Sequence, residues 1–359
     1  MRHRLLLLLI FGTISSVLGV PRFAIMEDVT CSSCHSYQGG GGSRSSYGKE
    51  FVSESLVQKN LPLPWIKEDA EFPVLFGTDI RYQAISRDDL RHFPMQFDLY
   101  SSAEIGNLVA YGEISRILDD FRFTGGVRYE GLPLDSWLFA GKDLPVPGWR
   151  MDDHTTFIRG GNLTPLGLAY EGMPYTPYIA TSEFAELGFM DPLGMEYTFS
   201  AGTPFIDETS DSTNLFWMTK LNQSLYLGSM TARYGIAYLV EGHISSLTAS
   251  YGAGIDRFVY LGEYVEYHDW LGPDMISVAS LNQVSYRLMR GLDLILRYEF
   301  FDPDRKFSTG AITRLGTGLE FFPVDGLEVK LSYQQHKLDI PVGSDRRKNQ
   351  LLGQVHLYF

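Results

Sequence analysis

Cysteines, long apolar segments and basic residues are all scarce in this chain of 359 residues. Only Cys31 and Cys34 occur, so a zinc site with four Cys or His ligands lacks a second cysteine pair. After the N-terminal run, no stretch is apolar enough for a transmembrane helix. The 30 Lys and Arg against 43 Asp and Glu give a formal net charge of −13, which disfavours nucleic-acid binding. The sequence also has no catalytic-triad motif, phosphate-binding loop or dinucleotide fingerprint, so nothing supports hydrolase or nucleotide chemistry.

The first 19 residues have the pattern of a secretory signal peptide. Arg2 and Arg4 precede an apolar run that starts at Leu5, and Val17 and Gly19 suit cleavage before Val20. An uncleaved membrane anchor is the alternative, but the run is shorter than the ~20 residues that a bilayer span needs. We therefore expect residues 1–19 to be a signal peptide that is removed on export.

The stretch "DVTCSSCHSY" at 28–37 contains both cysteines, with His35 directly after the second. C-x-x-C-H is the attachment signature of c-type haem, in which two thiols bind the vinyl groups and the imidazole ligates the iron. A redox-active disulfide would be expected in a strand–helix–strand unit, and the sequence after the motif does not predict such a unit. The sequence therefore predicts one covalent haem c, held by Cys31 and Cys34, with His35 as an axial iron ligand.

The second axial ligand of such a haem is less clearly marked. Met26 lies five residues before Cys31, and no other Met or His follows His35 until His92. His356 is a second candidate and Met289 a third, because strand alternation points both side chains inward near one end of the predicted sheet. The alternatives are that Met26 only packs against the porphyrin and that His356 is an ordinary polar residue of the lumen. Water-ligated or five-coordinate iron is a further alternative, and the choice would shift the potential strongly.

The C-terminal half alternates between apolar and polar residues with a period of two. "LDLILRYEF" (292–300), "LEVKLSYQ" (327–334) and "QLLGQVHLYF" (350–359) all show this pattern. A soluble β-sandwich would also alternate, but here the polar face carries charges on strand after strand, as a water-filled lumen allows. The pattern therefore predicts an all-β protein, a transmembrane antiparallel outer-membrane β-barrel with a short N-terminal haem segment.

About 16 strands can be assigned, an even number as single-chain bacterial barrels require. Short turns at 290–291 and 323–326 alternate with longer loops, which places the haem segment and the short turns on the periplasmic side. The terminal Phe359 resembles the C-terminal signature of bacterial outer-membrane barrels. The predicted strands are 72–83, 92–101, 104–115, 119–131, 134–140, 180–190, 193–201, 214–223, 228–240, 246–254, 257–268, 275–289, 292–302, 311–322, 326–337 and 349–359.

The haem segment is similar to the N-terminal part of fused monohaem cytochrome–porins of the bacterial outer membrane. That family includes proteins implicated in iron(II) oxidation. The Gly39–Gly42 run with Arg44 departs from those members and looks more like porin-like channels of metal-reducing and related bacteria, which the segment 140–161 also resembles. The haem-segment resemblance covers about 30 residues and rests on these positions: Pro21-x-Phe23-Ala24, Cys31-x-x-Cys34-His35 and Tyr47-Gly48-x-x-Phe51.

Residues 20–70 are too few for an ordinary cytochrome core, and a unit this small needs a staple or a partner. Apolar residues at the mouth or in the lumen of the barrel must therefore shield the haem. We assign the barrel to residues 71–359. The run "GGGGSRSSYG" bends freely and would let the haem segment dock there.

The longest predicted connection, 141–180, contains Asp152 and His154 on either side of Asp153. Loops this long are usually functional, and one that folds inward would narrow the pore. Asp and His are suitable ligands for a divalent metal such as Fe(II), which makes Asp152 and His154 a candidate external metal site. The alternative is that they hydrogen-bond the loop to the wall.

Two functions follow. The resemblance implies an electron carrier rather than a conventional enzyme, moving electrons between an external donor or acceptor, such as Fe(II), and periplasmic cytochromes or other carriers. The alternative is a diffusion porin, or the sheath of a porin–cytochrome complex, in which the haem segment is secondary. In both cases the chain would be surrounded by outer-membrane lipid.

Overall fold

Sixteen antiparallel strands close into a barrel in which each strand pairs with its sequence neighbours and β1 pairs with β16. This confirms the predicted fold class. The strands are β1 Val74–Ser86, β2 Leu90–Ile105, β3 Leu108–Ile117, β4 Asp120–Leu132, β5 Ser136–Asp143, β6 Ser182–Met190, β7 Met195–Gly202, β8 Phe216–Leu227, β9 Met230–Glu241, β10 Ile244–Ile255, β11 Phe258–His268, β12 Ile276–Met289, β13 Leu292–Asp302, β14 Ile312–Val324, β15 Leu327–Leu338 and β16 Arg346–Tyr358.

The structure is a computed structural model. It describes residues 21–27, 29, 34–36, 44–59, 74–117, 120–149, 151, 153, 155–161, 165–166, 168, 170–174, 181–206, 214–340 and 346–358. The predicted signal peptide, Cys31, Asp152, His154 and Phe359 lie outside these ranges. Among the described residues, no helix combines the length and the apolar character that crossing a membrane demands.

The two faces of each strand follow the alternation in the sequence. On β13, Leu296 is 49 % exposed and Tyr298 is 42 % exposed, whereas the next residue, Glu299, faces the lumen and is 1 % exposed. The exposed apolar side chains form the outer surface that a bilayer would cover, and the charged side chains point into the lumen. The apolar-out, polar-in pattern predicted for β13, β15 and β16 is therefore confirmed.

The two ends of the barrel differ in the length of their connections. At the end where β1 begins and β16 finishes, here called the terminal end, the connections are tight turns such as 290–291 and 325–326. Gly326 in the Asp-Gly turn has φ of 76°, a conformation that favours glycine and suits a two-residue hairpin. The opposite end, here called the loop end, carries the long connection between Asp143 and Ser182.

Several predicted strand boundaries were wrong by a few residues. β5 begins at Ser136 rather than 134, because Leu134 and Asp135 have φ of 62° and 47° and belong to the turn. β16 begins at Arg346 rather than 349, because its ladder with β15 continues to Leu338. The added residues Arg346 and Arg347 are polar and exposed, so the hydrophobic pattern could not show that they belong to β16.

The N-terminal segment lies inside the barrel. Helix α1 (Pro21–Met26) packs against the inner faces of β9, β10 and β11, and Ile25 fills the space left by Gly252 and Gly254. Helix α2 (Ser46–Phe51) starts at a Ser45 cap, whose Oγ accepts from Gly48 N at 3.1 Å, and continues as a π-helical turn, Val52–Leu56. The N–H of Gln58 donates to Phe322 O at 2.8 Å, which fixes the segment near the terminal end.

The lumen is less polar than the sequence suggested. On the inner face of strand β11, Glu263 is flanked by the apolar residues Val259, Leu261 and Val265, which join a buried apolar cluster. This cluster also includes Ile25 of α1 and Phe157 of the β5–β6 connection, so it joins the wall, the N-terminal segment and the loop. Burial of each such side chain contributes roughly 1.5–3 kcal/mol. The charged lumenal face that was predicted from the C-terminal strands therefore gives way to a mainly apolar face in this part of the wall.

Candidate functional site in the barrel lumen

A cavity of ≈ 270 Å³ lies between the N-terminal segment and the inner wall of the barrel. Cys34 and His35 line it, together with Phe23 and Phe51 of the two helices. Strands β1, β2 and β13 to β16 supply most of the remaining wall. The structure therefore brings two residues of the predicted haem motif onto one cavity within the barrel.

The backbone around the motif is tightly held. His35 pairs with Arg44 in an isolated antiparallel bridge, and the N–H of Ser45 donates to Cys34 O at 3.0 Å. A Cβ atom at Gly48 would overlap the backbone of Cys34, so this glycine allows helix α2 to approach the motif closely. Ser36 Oγ donates to Ser102 Oγ at 2.9 Å, which ties the motif to strand β2.

The environment of Cys34 keeps its thiol protonated. Burial raises its pKa to about 11; the Arg44 guanidinium opposes this shift and the Glu27 carboxylate adds to it. An ordinary cysteine has a pKa of about 8.5. Because the thiolate is the nucleophile, Cys34 is not tuned to act as an exposed redox thiol in haem-free protein.

We expect Cys34 to be alkylated slowly in haem-free, reduced Cys31→Ser protein. At pH 8, reaction with iodoacetamide should be roughly 100-fold slower than for an ordinary cysteine, and the rate should rise toward pH 11 because only the thiolate reacts. The same variant unfolded in denaturant is the control and should react at the ordinary rate. Equal rates in folded and unfolded protein would show that Cys34 is not shielded in the lumen.

Four arginines line the cavity: Arg22, Arg44, Arg81 and Arg297. Arg22 of α1 is 4 % exposed and pairs with Glu320 and, at 3.5 Å, with Asp293. The Arg44 guanidinium carbon lies 4.1 Å from the centre of the Tyr358 ring. Arg81 Nη2 lies 3.1 Å from Asp79 Oδ2 on the same strand. Four carboxylates line the same cavity, and three of them, Asp79, Asp153 and Glu320, pair with Arg81, Arg297 and Arg22.

His356 points into this cavity as the alternation predicted, but both of its ring nitrogens have carboxylate partners. Nε2 lies 2.8 Å from Asp79 Oδ1 and Nδ1 lies 2.8 Å from Glu328 Oε2. Iron ligation by His356 would require one of these contacts to break. The prediction of His356 as a distal ligand stays untested, and in this structure the residue ties β16 to both of its neighbouring strands.

The two methionines considered as distal ligands are placed differently from each other. Met26 is partly buried and packs against the apolar cluster that contains Ile25. Met289 is 48 % exposed, so its predicted inward placement was wrong. An irregularity between Arg287 and Met289 in the pairing of β12 with β13 reverses the alternation and turns Met289 outward.

The β5–β6 connection folds into the lumen, and its described residues between 144 and 174 are here called the inward loop. Arg159 and Glu263 of β11 form a buried bidentate pair, with N···O distances of 2.7 and 3.0 Å and exposures of 1 % and below. Glu263 also accepts from Trp149 N at 2.7 Å. One wall carboxylate therefore fixes the inward loop at two points.

A second anchor of the inward loop involves β13 and β14. Glu299 accepts from Phe157 N at 3.1 Å and from Arg314 Nε at 2.5 Å. Arg314 in turn donates to Thr155 O at 2.7 Å. Sequence reasoning did not identify Glu263, Glu299 or Arg314, and their inward positions on alternating strands were the only available signal.

The candidate external metal site cannot be placed, because Asp152 and His154 lie outside the described residues. Asp153 between them accepts from Arg297 Nη1 at 2.5 Å and from Thr155. Burial raises the pKa of Asp153, but the Arg297 guanidinium outweighs this and holds the pKa well below its ordinary value. Within the part of the chain that the structure describes, no group of three or more His, Cys, Asp or Glu is arranged to hold a metal ion.

The residues around the cavity fit a haem c group. A thiol and an imidazole of the motif line the same space, aromatic rings offer apolar cover, and arginines can face the two carboxylates of the porphyrin. The volume of ≈ 270 Å³ lies below the range of about 300–1,000 Å³ for small-molecule and cofactor pockets, so the fit rests on the lining residues and not on the volume. Cys31, the other predicted thioether position, lies outside the described residues.

Comparison with known proteins identifies the fold. No family model and no curated protein matches the chain. Among solved structures, Pseudomonas putida OprB is 8 % identical with a TM-score of 0.61 over 80 % of this chain and 94 % of that chain. The anion-selective porin from Comamonas acidovorans is 13 % identical with a TM-score of 0.55 over 80 % and 99 %. The outer membrane channel DcaP of Acinetobacter baumannii is 12 % identical, with a TM-score of 0.55 over 80 % and 97 %.

These similarities show that the chain has the fold of outer-membrane porins. Together with the exposed apolar outer surface, they support an outer-membrane location for the barrel. At such low identity, they carry no information about what passes through the lumen or binds there.

Proposed function

We propose that this protein carries electrons at the outer membrane by means of one haem c attached to Cys31 and Cys34 within the barrel. The electrons would move between an external donor or acceptor, such as Fe(II), and periplasmic cytochromes or other carriers. The single observation that carries the proposal is the placement of Cys34 and His35 on one cavity in the lumen.

The chain's own residues have separate tasks in this proposal. Cys31 and Cys34 would hold the porphyrin through thioethers, and His35 would ligate the iron. Phe23, whose ring centroid lies 5.7 Å from that of Phe51, would exclude water from one side. Haem c would supply one-electron chemistry, with a potential set by its ligands and by burial.

A diffusion porin is the second candidate, and the fold comparisons favour it over the electron-transfer function. The chain shares its fold with an anion-selective porin and an outer membrane channel. Against this candidate, the inward loop and α1 fill part of the lumen with buried side chains such as Phe157, Ile158 and Ile25. This filling narrows the path that solutes could take through the lumen.

Reconstituted vesicles test the two functions together. Vesicles that enclose ferricyanide and carry the purified full chain would receive Fe(II) outside, and the reduction of the enclosed ferricyanide would be followed by absorbance. We expect wild-type protein to reduce it and the Cys31→Ser/Cys34→Ser variant to be inactive. Release of the enclosed anion into the medium is measured in parallel.

The outcomes are distinct. Electron transfer without release supports the proposed function. Rapid release with both proteins, at the same rate, would identify a diffusion porin. A wild-type chain that neither transfers electrons nor shows covalent haem would contradict the proposal outright.

A further inference from the structure

We propose that the thioether sulfur of Met95 is the distal ligand of the haem iron. This inference rests on the proposed function, since it presupposes that haem c occupies the lumenal cavity. Met95 is 3 % exposed and lines the same cavity as Cys34 and His35. It is not one of the candidates that sequence spacing suggested, because it lies on strand β2, 60 positions beyond His35.

A β-bulge turns the Met95 side chain inward. In the ladder between β1 and β2, Arg81 pairs with Gln96 and the next residue, Tyr82, pairs with Pro94, so Met95 has no partner on β1. The extra residue makes two successive side chains, Met95 and Gln96, point inward, where strict alternation would send Met95 outward. Pro94 has no N–H to donate and is tolerated at such an irregularity.

The surroundings of Met95 distinguish it from the other methionines. Within the part of the chain that the structure describes, Met95 belongs to none of the buried apolar clusters, although it is buried. Met151 also lines the cavity, but it is a member of the cluster that contains Phe157. Met26 packs on that same cluster and does not line the cavity. Met95 is therefore the methionine that is buried at the cavity without being packed in an apolar cluster.

The motif and Met95 are also held by the same strand. Ser36, which follows His35, bonds Ser102 of β2 at 2.9 Å, and Met95 lies further along β2 toward the loop end. His35 and Met95 would then be the two protein ligands of a haem held in this cavity. His with Met ligation raises the potential of a c-type haem, which suits an acceptor of electrons from an external donor.

Ultraviolet–visible and redox spectroscopy of the detergent-purified full chain test this inference. Met95→Leu removes the sulfur and keeps a similar volume, a substitution that cores tolerate well. We expect the sulfur-to-iron charge-transfer band of the ferric wild-type protein to be lost in Met95→Leu. The potential should fall and cyanide should bind faster. Met26→Leu and Met151→Leu are matched controls and should keep the band, and Met95→His should restore six-coordinate low-spin iron without it.

Each outcome decides the question. A band that survives Met95→Leu and disappears in Met151→Leu or Met26→Leu assigns the ligand to that other methionine and overturns the proposal. A wild-type protein that stains for covalent haem but lacks the band has a different distal ligand, which overturns the Met95 assignment while the proposed function stands. A wild-type protein without covalent haem contradicts the proposed function itself.

Discussion

Barrels that carry Glu263→Ala should conduct ions far better than the wild-type chain in planar lipid bilayers. The substitution leaves Arg159 buried without its carboxylate and removes the acceptor of Trp149 N. Breaking a buried pair by removing one partner costs about 3–5 kcal/mol, which is roughly 100-fold or more in an equilibrium. We expect the inward loop to leave the lumen for much of the time and to become sensitive to added protease.

Two variants make this result specific. Glu104→Ala removes an exposed carboxylate at the end of β2 and should leave the conductance unchanged. The double variant Glu263→Ala/Arg159→Leu no longer buries an unpaired charge, so it should recover part of the wild-type closure. Equal conductance in wild type and Glu263→Ala would mean that apolar contacts such as those of Phe157 hold the loop without help from the ion pair.

The Cys31→Ser/Cys34→Ser variant should lose all covalently bound haem. Thioether bonds survive denaturation, so wild-type protein should keep a haem-stained band on a denaturing gel. The variant has no sulfur atoms in the motif and should show none. Single substitutions keep one thioether position and should retain a weaker stain.

Heat-dependent gel migration provides the control for this experiment. The barrel strands lie outside the motif, so the variant should still shift between folded and unfolded mobility as the wild type does. Haem that washes out of denatured wild-type protein would contradict covalent attachment. A variant that loses the barrel as well as the stain would show that the haem segment is needed for folding.

The barrel itself was predictable because alternation is a local property. Any ten residues of β13 or β15 show which side chains face lipid, so the fold class and the strand count follow from the sequence. Strand ends were less accurate, because the ladder between β15 and β16 continues through polar residues such as Arg346. A hydrophobicity pattern does not reveal that two polar strand ends at the edge of the membrane are hydrogen-bonded to each other.

The candidate site was only partly predictable, because it depends on contacts between distant residues. The motif at Cys34 and His35 was readable from spacing, but the position of the segment in the lumen depends on shape. Arg159 and Glu263 are 104 residues apart, and nothing local marks them as partners. The inward turn of Met95 depends on a bulge, which reverses the alternation that the prediction relied on.

The seam between β1 and β16 has a consequence for the order of assembly. Gln83 on β1 bonds Gln354 on β16 at 2.9 Å across 271 positions of sequence, and Asp79 contacts His356 across the same seam. Pairings between such distant positions form late, because a long stretch of chain must first be confined. Both strands of the seam line the cavity, so the cavity is complete only when the last pair of strands has joined. We therefore expect haem attachment to precede barrel closure, while the motif is still accessible in an open sheet.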